Sequence, residues 1–365
     1  MIRLAAAIML VPAAASAQLF TPSILAPLST TLNETSGLVQ VNGEVWTHND
    51  SGGPPRLFQV DPSSGAVLRS VNVEGAVNVD WEEITADDQW LYIGDVGNNN
   101  GDRTDLRVLR VALDSLLNPQ TNSVGASTIA FQYDLQTDFT PAPNNTDWDC
   151  EALVAFNDSL WLFSKNWVSG TSHISVLPAV PGTHTAVRVD TLASQGMVTG
   201  ASHDPATGDV ALIGYTNGLY LPFAMHLQQV DGAAAFDGAV VREDIALLFT
   251  QFEGIAWNAP GTVLLSNERS ALVPARLWSM TVELSTGTPG PAAATAMRVM
   301  PVPAAGTLQV HAAQAGEAAL FDVHGRMILR IRLGEGANTI HLPGQPSGVY
   351  VLRTPGGAAS FAWMP

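Results

Sequence analysis

The chain has 365 residues, 46% apolar and 13% charged, with a formal charge of −17. That length can bury one large core or two smaller ones, and a mean hydropathy of +0.16 excludes a mainly disordered chain. The acidic balance excludes a nucleic-acid binder, which needs clustered Lys and Arg, and the single cysteine, Cys150, excludes an internal disulfide and a Cys-based zinc site.

Residues 1–17 read as a secretory signal. Arg3 gives the positive start, Leu4 to Val11 the short apolar stretch, and Ala15-Ser16-Ala17 the small-residue cleavage pattern. The apolar run is too short to span a bilayer and Pro12 interrupts it. Cleavage leaves Gln18 first, with no cysteine behind it for a lipid anchor. No later apolar run is long enough to cross a membrane, so the mature chain is expected to lack a transmembrane segment.

Residues 18–285 repeat one plan five times: a polar residue, a small residue, an aliphatic residue, a turn, then an apolar strand ending in a polar group. The units open at Ser36-Gly37-Leu38, Glu82-Glu83-Ile84, Glu151-Ala152-Leu153, Thr199-Gly200-Ala201 and Glu253-Gly254-Ile255. The second strands are Val45–Asn49, Leu91–Asp95, Leu160–Lys165, Val210–Tyr215 and Val263–Asn267. Two further strand-like runs follow each pair: Arg56–Val60 and Val67–Val73, Leu106–Val111 and Thr128–Tyr133, His173–Leu177 and Ala186–Asp190, and Ala224–Gln228 and Asp244–Phe249. The fifth unit has only Arg276–Val282, and Ile24–Leu32 is expected to supply its last strand. Four strands per unit define a β-propeller of five blades. The 69-residue step from Glu82 to Glu151 leaves room for a sixth, but it reads better as two loops, Asp114–Gly125 and Gln136–Asp149. No sustained 3.6-residue period supports helix.

Propeller geometry places a function. Residues that start inner strands and residues that end second strands share one rim near the axis. Glu82, Glu83, Glu151 and Glu253 belong to the first set; Asn49, Asp95, Lys165 and Asn267 belong to the second. Carboxylates brought this close require protonation or a cation. An all-oxygen donor set of Glu82, Glu151, Glu253, Asp95, Asn49 and Asn267 suits calcium rather than zinc or copper. Residues 18–297 hold thirty acids against ten bases, which favours cations or neutral ligands over polyanions. Lys165, the only lysine, is placed to pair with Glu151 or hold an anionic group. His48 is a candidate general base, although strand alternation lets only one of His48 and Asn49 face the channel. Trp81, Trp148 and Trp167 lie near the rim, where an indole can stack on a sugar, so the expected partner is a small molecule or glycan. No G-x-S-x-G, H-E-x-x-H or P-loop occurs, and no organic cofactor is expected. Cys150 stands between Asp149 and Glu151, which makes it a poor nucleophile.

Residues 286–297 form a Pro/Gly/Ala/Thr linker. The tail, 298–365, carries five Arg against three acids and reads as a short β-domain. Its strands are expected at Thr307–His311, Glu317–Asp322, Met327–Leu333, Asn338–Leu342, Gly348–Arg353 and Ala359–Trp363. Few apolar groups are expected to be buried across the linker, which makes the tail dispensable for folding.

Three tail segments resemble the C-terminal sorting domain of type IX secretion cargo: Val299 to Pro303, Leu320 to Arg326, and Asn338-Thr339-Ile340 leading to Pro346-Ser347-Gly348-Val349-Tyr350. Met300 and Val302 stand where that family has Tyr and Asn, and the chain ends Met364-Pro365 where the family has a basic residue. The resemblance implies passage through the periplasm, engagement of the type IX machinery by residues 298–365, and a secreted or outer-membrane-surface address. The segments Asn49 to Gly53, Asp80 to Glu83 and Asp95 to Asn99 are similar to those of secreted propellers with the same tail, a likeness that implies no activity. The inner-strand motif Phe252-Glu253-Gly254-Ile255 loosely resembles calcium-dependent phytase-like and lactonase-like propellers. That implies an alternative, calcium-dependent hydrolysis of phosphoesters, esters or lactones. A scaffold without a site is the remaining alternative.

Overall fold

The computed structural model describes residues 22–217, 220–228 and 240–282, and in the tail 298–300, 304–305, 307–312, 315–322, 327–342, 344–354 and 357–364. The expected signal segment and the linker lie outside the described residues. Among the described residues no helix is long and apolar enough to cross a membrane.

Five four-stranded antiparallel blades form a ring. A first strand, β1 (Ser23–Pro27), precedes them. Blade 1 holds β2 (Thr35–Val41), β3 (Glu44–Asn49), β4 (Arg56–Val60) and β5 (Val67–Glu74). Blade 2 holds β6 (Trp81–Ala86), β7 (Trp90–Asp95), β8 (Arg107–Ala112) and β9 (Ser123–Tyr133), with a single-turn helix α1 (Leu113–Leu117) before β9. Blade 3 holds β10 (Cys150–Phe156), β11 (Ser159–Ser164), β12 (Ser172–Pro178) and β13 (Gly182–Leu192). Blade 4 holds β14 (Met197–Asp204), β15 (Asp209–Tyr215), β16 (Pro222–Leu227) and β17 (Val240–Asp244). Blade 5 holds β18 (Phe252–Ala259), β19 (Thr262–Asn267) and β20 (Arg276–Thr281), and takes its outer strand from β1, which pairs with β20 from Ser23↔Ser279 to Pro27↔Arg276. The expected N-terminal closure is therefore present. The inner strands pack side by side, β2 on β6, β6 on β10, β10 on β14, β14 on β18, and β18 back on β2. That closed circuit fixes the count at five.

The residue pattern explains this arrangement. Second strands lie between neighbouring blades, so both faces are buried, and β11 (SLWLFS) and β15 (DVALIGY) are buried along their whole length. Outer strands face solvent on one side, and β9 alternates accordingly. Apolar cores fill the seams between successive blades. Val154, Trp161 and Phe163 of blade 3, for example, meet Val210, Leu212 and Phe223 of blade 4. Fully burying each such side chain contributes roughly 1.5–3 kcal/mol.

Two expectations need correction. The first concerns the long step in blade 2, which holds no sixth blade, as expected, but whose segment Asp114–Gly125 is not all loop. It carries most of α1 and the start of β9, because Leu113 and Leu116 bury into the seam between blades 1 and 2. The strand β9 is long, and it pairs in parallel with both β5 and β13, joining the outer edges of three blades. The second is the strand expected at Asp244–Phe249. Pairing ends at Asp244↔Phe223, and Phe249 adopts a left-handed backbone (φ 55°) that no strand accepts.

The tail contains β21 (Arg298–Met300), β22 (Ala304–Ala305), β23 (Thr307–Ala312), β24 (Gly316–Asp322), β25 (Met327–Leu333), β26 (Gly336–His341), β27 (Gly348–Thr354) and β28 (Gly357–Met364). They form two sheets, β21-β23-β26 and β22-β28-β27-β24-β25. Leu308, Val310, Leu352, Phe361 and Trp363 build the core of this sandwich, and Val187 of β13 is buried with them. The partly buried Val189 packs on it as well, so the tail covers two apolar residues of blade 3, a contact that the sequence did not indicate.

Candidate cation and ligand site at the axial mouth

The polar residue that opens each repeat is the extra residue of a β-bulge. Along β6, pairing steps from Trp81↔Asp95 to Glu83↔Gly94 and leaves Glu82 unpaired. The same step leaves Glu151 out of β10, Thr199 out of β14 and Glu253 out of β18, while β2 skips both Ser36 and Gly37. A bulge re-aims a side chain and bends its strand. Here it turns Ser36, Glu82, Glu151 and Glu253 into one cavity. Thr199 instead donates from Oγ1 to the Phe252 carbonyl of the next blade (2.6 Å), and Ser36 Oγ donates likewise to the Glu82 carbonyl. The small residue that follows lets inner strands touch. A Cβ on Gly200 would lie 2.8 Å from the Glu253 carbonyl oxygen, and one on Gly254 would lie 2.8 Å from Leu38 Cβ.

The cavity has a volume of about 190 Å³ and takes side chains from all five blades. Blade 1 adds Asp50, which follows β3, and blade 5 adds Glu268, which follows β19. Blade 3 adds Lys165 and Trp167, and blade 4 adds Tyr215 and Tyr220. Lys165 Nζ donates to both Glu151 oxygens at 2.6 and 2.7 Å, as expected from the sequence. It also lies 5.1 Å from the Trp167 ring and 5.6 Å from the Tyr215 ring. Tyr215 donates its hydroxyl to Glu253 Oε1 at 3.2 Å.

The acids are crowded and largely buried. Burial, then the neighbouring carboxylates, pushes Asp80 up to about 7 and Glu268 to about 8, and burial raises Glu253 to about 7 against the opposing pull of Lys165. Burial and the nearby carboxylates also raise Glu82 and Asp50, and burial raises Glu151 against the opposing pull of Lys165. Burial would lower Lys165, but Glu151 and its neighbours outweigh it and hold the ammonium above its ordinary value.

Asp50, Asp80 and Glu82 offer three carboxylate oxygens that all lie within 4.8 Å of one another. Two such charges at that separation repel by about 3 kcal/mol at an effective dielectric of ~20. The spacing also suits oxygens held ~2.4 Å from one central calcium. Glu82 is 5% exposed, and among the described residues no hydrogen-bond donor stands at its carboxylate. Gly97 makes room for the cluster, since a Cβ there would land on Glu82 Oε1 and Asp80 Oδ2.

Of the residues expected at the site, Glu82, Glu151, Glu253 and Lys165 line the cavity. Asp95, Asn49 and Asn267 do not, because each is held elsewhere. Asp95 is fully buried between Arg103 (2.9 Å) and Arg107 (2.7 Å). Asn49 donates to the Thr31 carbonyl at 2.8 Å. Asn267 donates to the Glu268 and Pro274 carbonyls and accepts from Trp278 Nε1 at 2.7 Å. His48 and Trp81 are also displaced from it. They pack edge to face, 5.6 Å apart, fully buried, and burial lowers His48 to about 4, which removes it as a general base. Trp148 packs on Tyr133, so Trp167 alone of the three rim tryptophans reaches the cavity. Burial raises the Cys150 thiol, in line with its poor nucleophilicity. The residues missed were Asp50, Asp80, Glu268, Tyr215 and Tyr220. Asp50 and Glu268 each sit one position beyond a chosen asparagine, and strand alternation was the signal available to find them.

No family model matches the chain, and no curated protein matches it. It is similar to the solved structure of exo-β-1,3-galactanase from Phanerochaete chrysosporium with galactose, at 12% identity and a TM-score of 0.40 over 89% of this chain and 94% of that one. It is also similar to PQQ-bound aldose sugar dehydrogenase from Streptomyces coelicolor, at 13% identity and a TM-score of 0.38 over 94% and 97%. A third is the WD40 domain of Toxoplasma gondii coronin, at 10% identity and a TM-score of 0.34 over 95% and 85%. Such likeness assigns no ligand. The strand pairing itself defines the class, an all-β protein with a five-bladed propeller and a small C-terminal β-sandwich. Its distinguishing feature is an acidic pocket at one axial mouth.

Proposed function

We propose that this chain is a secreted or cell-surface propeller whose axial mouth binds calcium through Asp50, Asp80 and Glu82 and holds a small ligand beside it. The observation that carries the cation reading is Glu82, a buried carboxylate with no donor among the described residues, grouped with two further carboxylates. The export route rests on the tail's resemblance to the type IX sorting domain. Calorimetric titration with calcium, on the mature chain and on Glu82→Gln, tests the cation reading. The wild type should bind, and the variant should lose at least tenfold in affinity. No heat and no melting shift in either would leave the scaffold reading standing. For the address, a chain ending near Thr286 should accumulate in the periplasm of a host with the type IX machinery. Normal secretion of that chain would overturn the route.

One observation favours a second reading, calcium-dependent hydrolysis. Glu253, held near 7 beside the Tyr215 hydroxyl, is suited to give or take a proton at neutral pH. Turnover of an ester, lactone or phosphoester with calcium, lost in Glu253→Gln, would establish it.

A further inference from the structure

The charge balance of the mouth selects among ligands. Six carboxyls, those of Asp50, Asp80, Glu82, Glu151, Glu253 and Glu268, face it or edge it, and one cation, Lys165, stands among them. Lys165 is already clamped by both Glu151 oxygens. An anionic ligand therefore meets no free cationic side chain among the described residues, and one divalent ion does not reverse the sign. An organic cation would have to compete with the metal for the same oxygens. A neutral ligand rich in hydroxyls meets neither obstacle. Two vicinal hydroxyls can replace water on a calcium ion, which takes six to eight oxygen ligands. The remaining hydroxyls can donate to Glu253 and Glu268.

The opposite wall is aromatic. Trp167 is held by its indole N–H on Asp149 (2.9 Å) and by its backbone N–H on the Thr146 carbonyl (3.2 Å). Tyr220 is 38% exposed and packs edge to face on Tyr215 at 5.4 Å. Fixed rings of this kind present an apolar face to the C–H side of a sugar. A cavity of about 190 Å³ has room for one pyranose ring.

We propose that the mouth binds a neutral saccharide, with vicinal hydroxyls on a cation held by Asp50, Asp80 and Glu82 and its apolar face against Trp167 and Tyr220. The proposal rests on the cation reading above. Its test is ligand-observed NMR and calorimetry on the mature chain with methyl galactoside, methyl mannoside and methyl fucoside. Galacturonate and mannose 6-phosphate serve as anionic counterparts, and each titration is run in calcium and again in chelator. At least one neutral glycoside should bind in calcium and lose at least tenfold in affinity in chelator. The anionic sugars should bind at least tenfold more weakly, and Tyr220→Ala should weaken the glycoside severalfold while calcium still titrates normally. If calcium binds and no neutral glycoside does, the saccharide proposal falls and the cation reading stands. Binding that survives chelation, or anionic sugars that bind equally well, also overturns it. If calcium itself does not bind, both readings fall together.

Discussion

Glu83 Oε2 accepts the backbone amide of Ala201 at 2.7 Å, which ties blade 2 to blade 4 across the channel. Its other oxygen accepts the amide of Ile84 at 2.9 Å. Glu83 occupies the position held by Gly37, Ala152, Gly200 and Gly254 in the other blades, and it is fully buried. Burial pushes this carboxyl well above its ordinary range, opposed by the amides of Ala201, Ile84 and Leu38. Glu83 thus fills the axis, whereas Glu82, one residue earlier, faces the cavity. Replacing Glu83 by Gln sets an NH2 group against backbone donors and leaves one of them unsatisfied. The expected cost is roughly 1–3 kcal/mol, read as a lowered midpoint in denaturant. An unchanged midpoint would remove Glu83 from any role in holding the ring.

The raised carboxyls predict an inverted pH dependence. Unfolded, Asp80 titrates near 3.8 and Glu253 and Glu268 near 4.5; folded, they titrate at about 7, 7 and 8. The folded chain keeps protons that the unfolded chain has released. Stability from this source is complete below the unfolded values and is lost as pH rises through the folded ones. In chelator, the melting temperature should therefore fall from about pH 5 to about pH 8. Saturating calcium should flatten the fall, because the cation takes over the compensation that protons supply. A profile that rises over this range in chelator would contradict the crowding of these groups.

Gly97 offers a way to disturb the cluster without touching a carboxylate. Gly97 is absent from the positions with positive φ, so alanine can adopt its backbone. The loop also keeps its anchors, Gly97 N–H to the Asp80 carbonyl at 3.2 Å and Arg103 Nη1 to the Gly97 carbonyl at 2.7 Å. The added methyl instead meets Glu82 Oε1, Asp80 Oδ2 and Asp80 Cγ, the last at 2.6 Å, so the whole Asp80 carboxyl must move. Gly97→Ala should still fold, with a modestly lowered melting temperature, while its calcium affinity falls at least tenfold. Wild-type affinity in that variant would place the cation elsewhere.

Much of this site was legible because the repeat marks its bulges. Ser36, Glu82, Glu151, Thr199 and Glu253 stand at one point of one plan, and all five are skipped by strand pairing. The second ring of residues was less legible. Whether Asn49 or Asp50, and Asn267 or Glu268, faces the axis depends on where the ladder ends, and a shift of one residue exchanges the two faces. Asp95 was misplaced for another reason. Its charge is consumed by Arg103 and Arg107 within its own blade, and composition alone does not show which acid those arginines take. Asp80 precedes its strand, and its position is set by contacts of the Asp80 carbonyl with Val96 and Gly97 that no local pattern encodes.

The two ends of the chain should respond differently to truncation. Strand β1 completes blade 5, and the Leu28 and Ser29 amides continue the tie to the Ala275 and Gly65 carbonyls at 3.0 and 3.1 Å. Leu28 also packs on the seam of Leu38, Val45, Ala256, Leu264 and Leu277 that joins blade 5 to blade 1. A chain that begins at Ser29 loses those strand bonds and opens that seam. It should melt well below wild type and become sensitive to protease within blade 5. A chain that ends near Thr286 keeps the ring and uncovers chiefly Val187 and part of Val189. A fully exposed valine costs about 1.5–3 kcal/mol and the partly buried Val189 adds less, which for a domain of this size amounts to several degrees. The N-terminal truncation should therefore cost much more than removal of the entire tail. Equal losses, or a larger loss from the tail, would mean that the ring is held together by the C-terminal sandwich and not by β1.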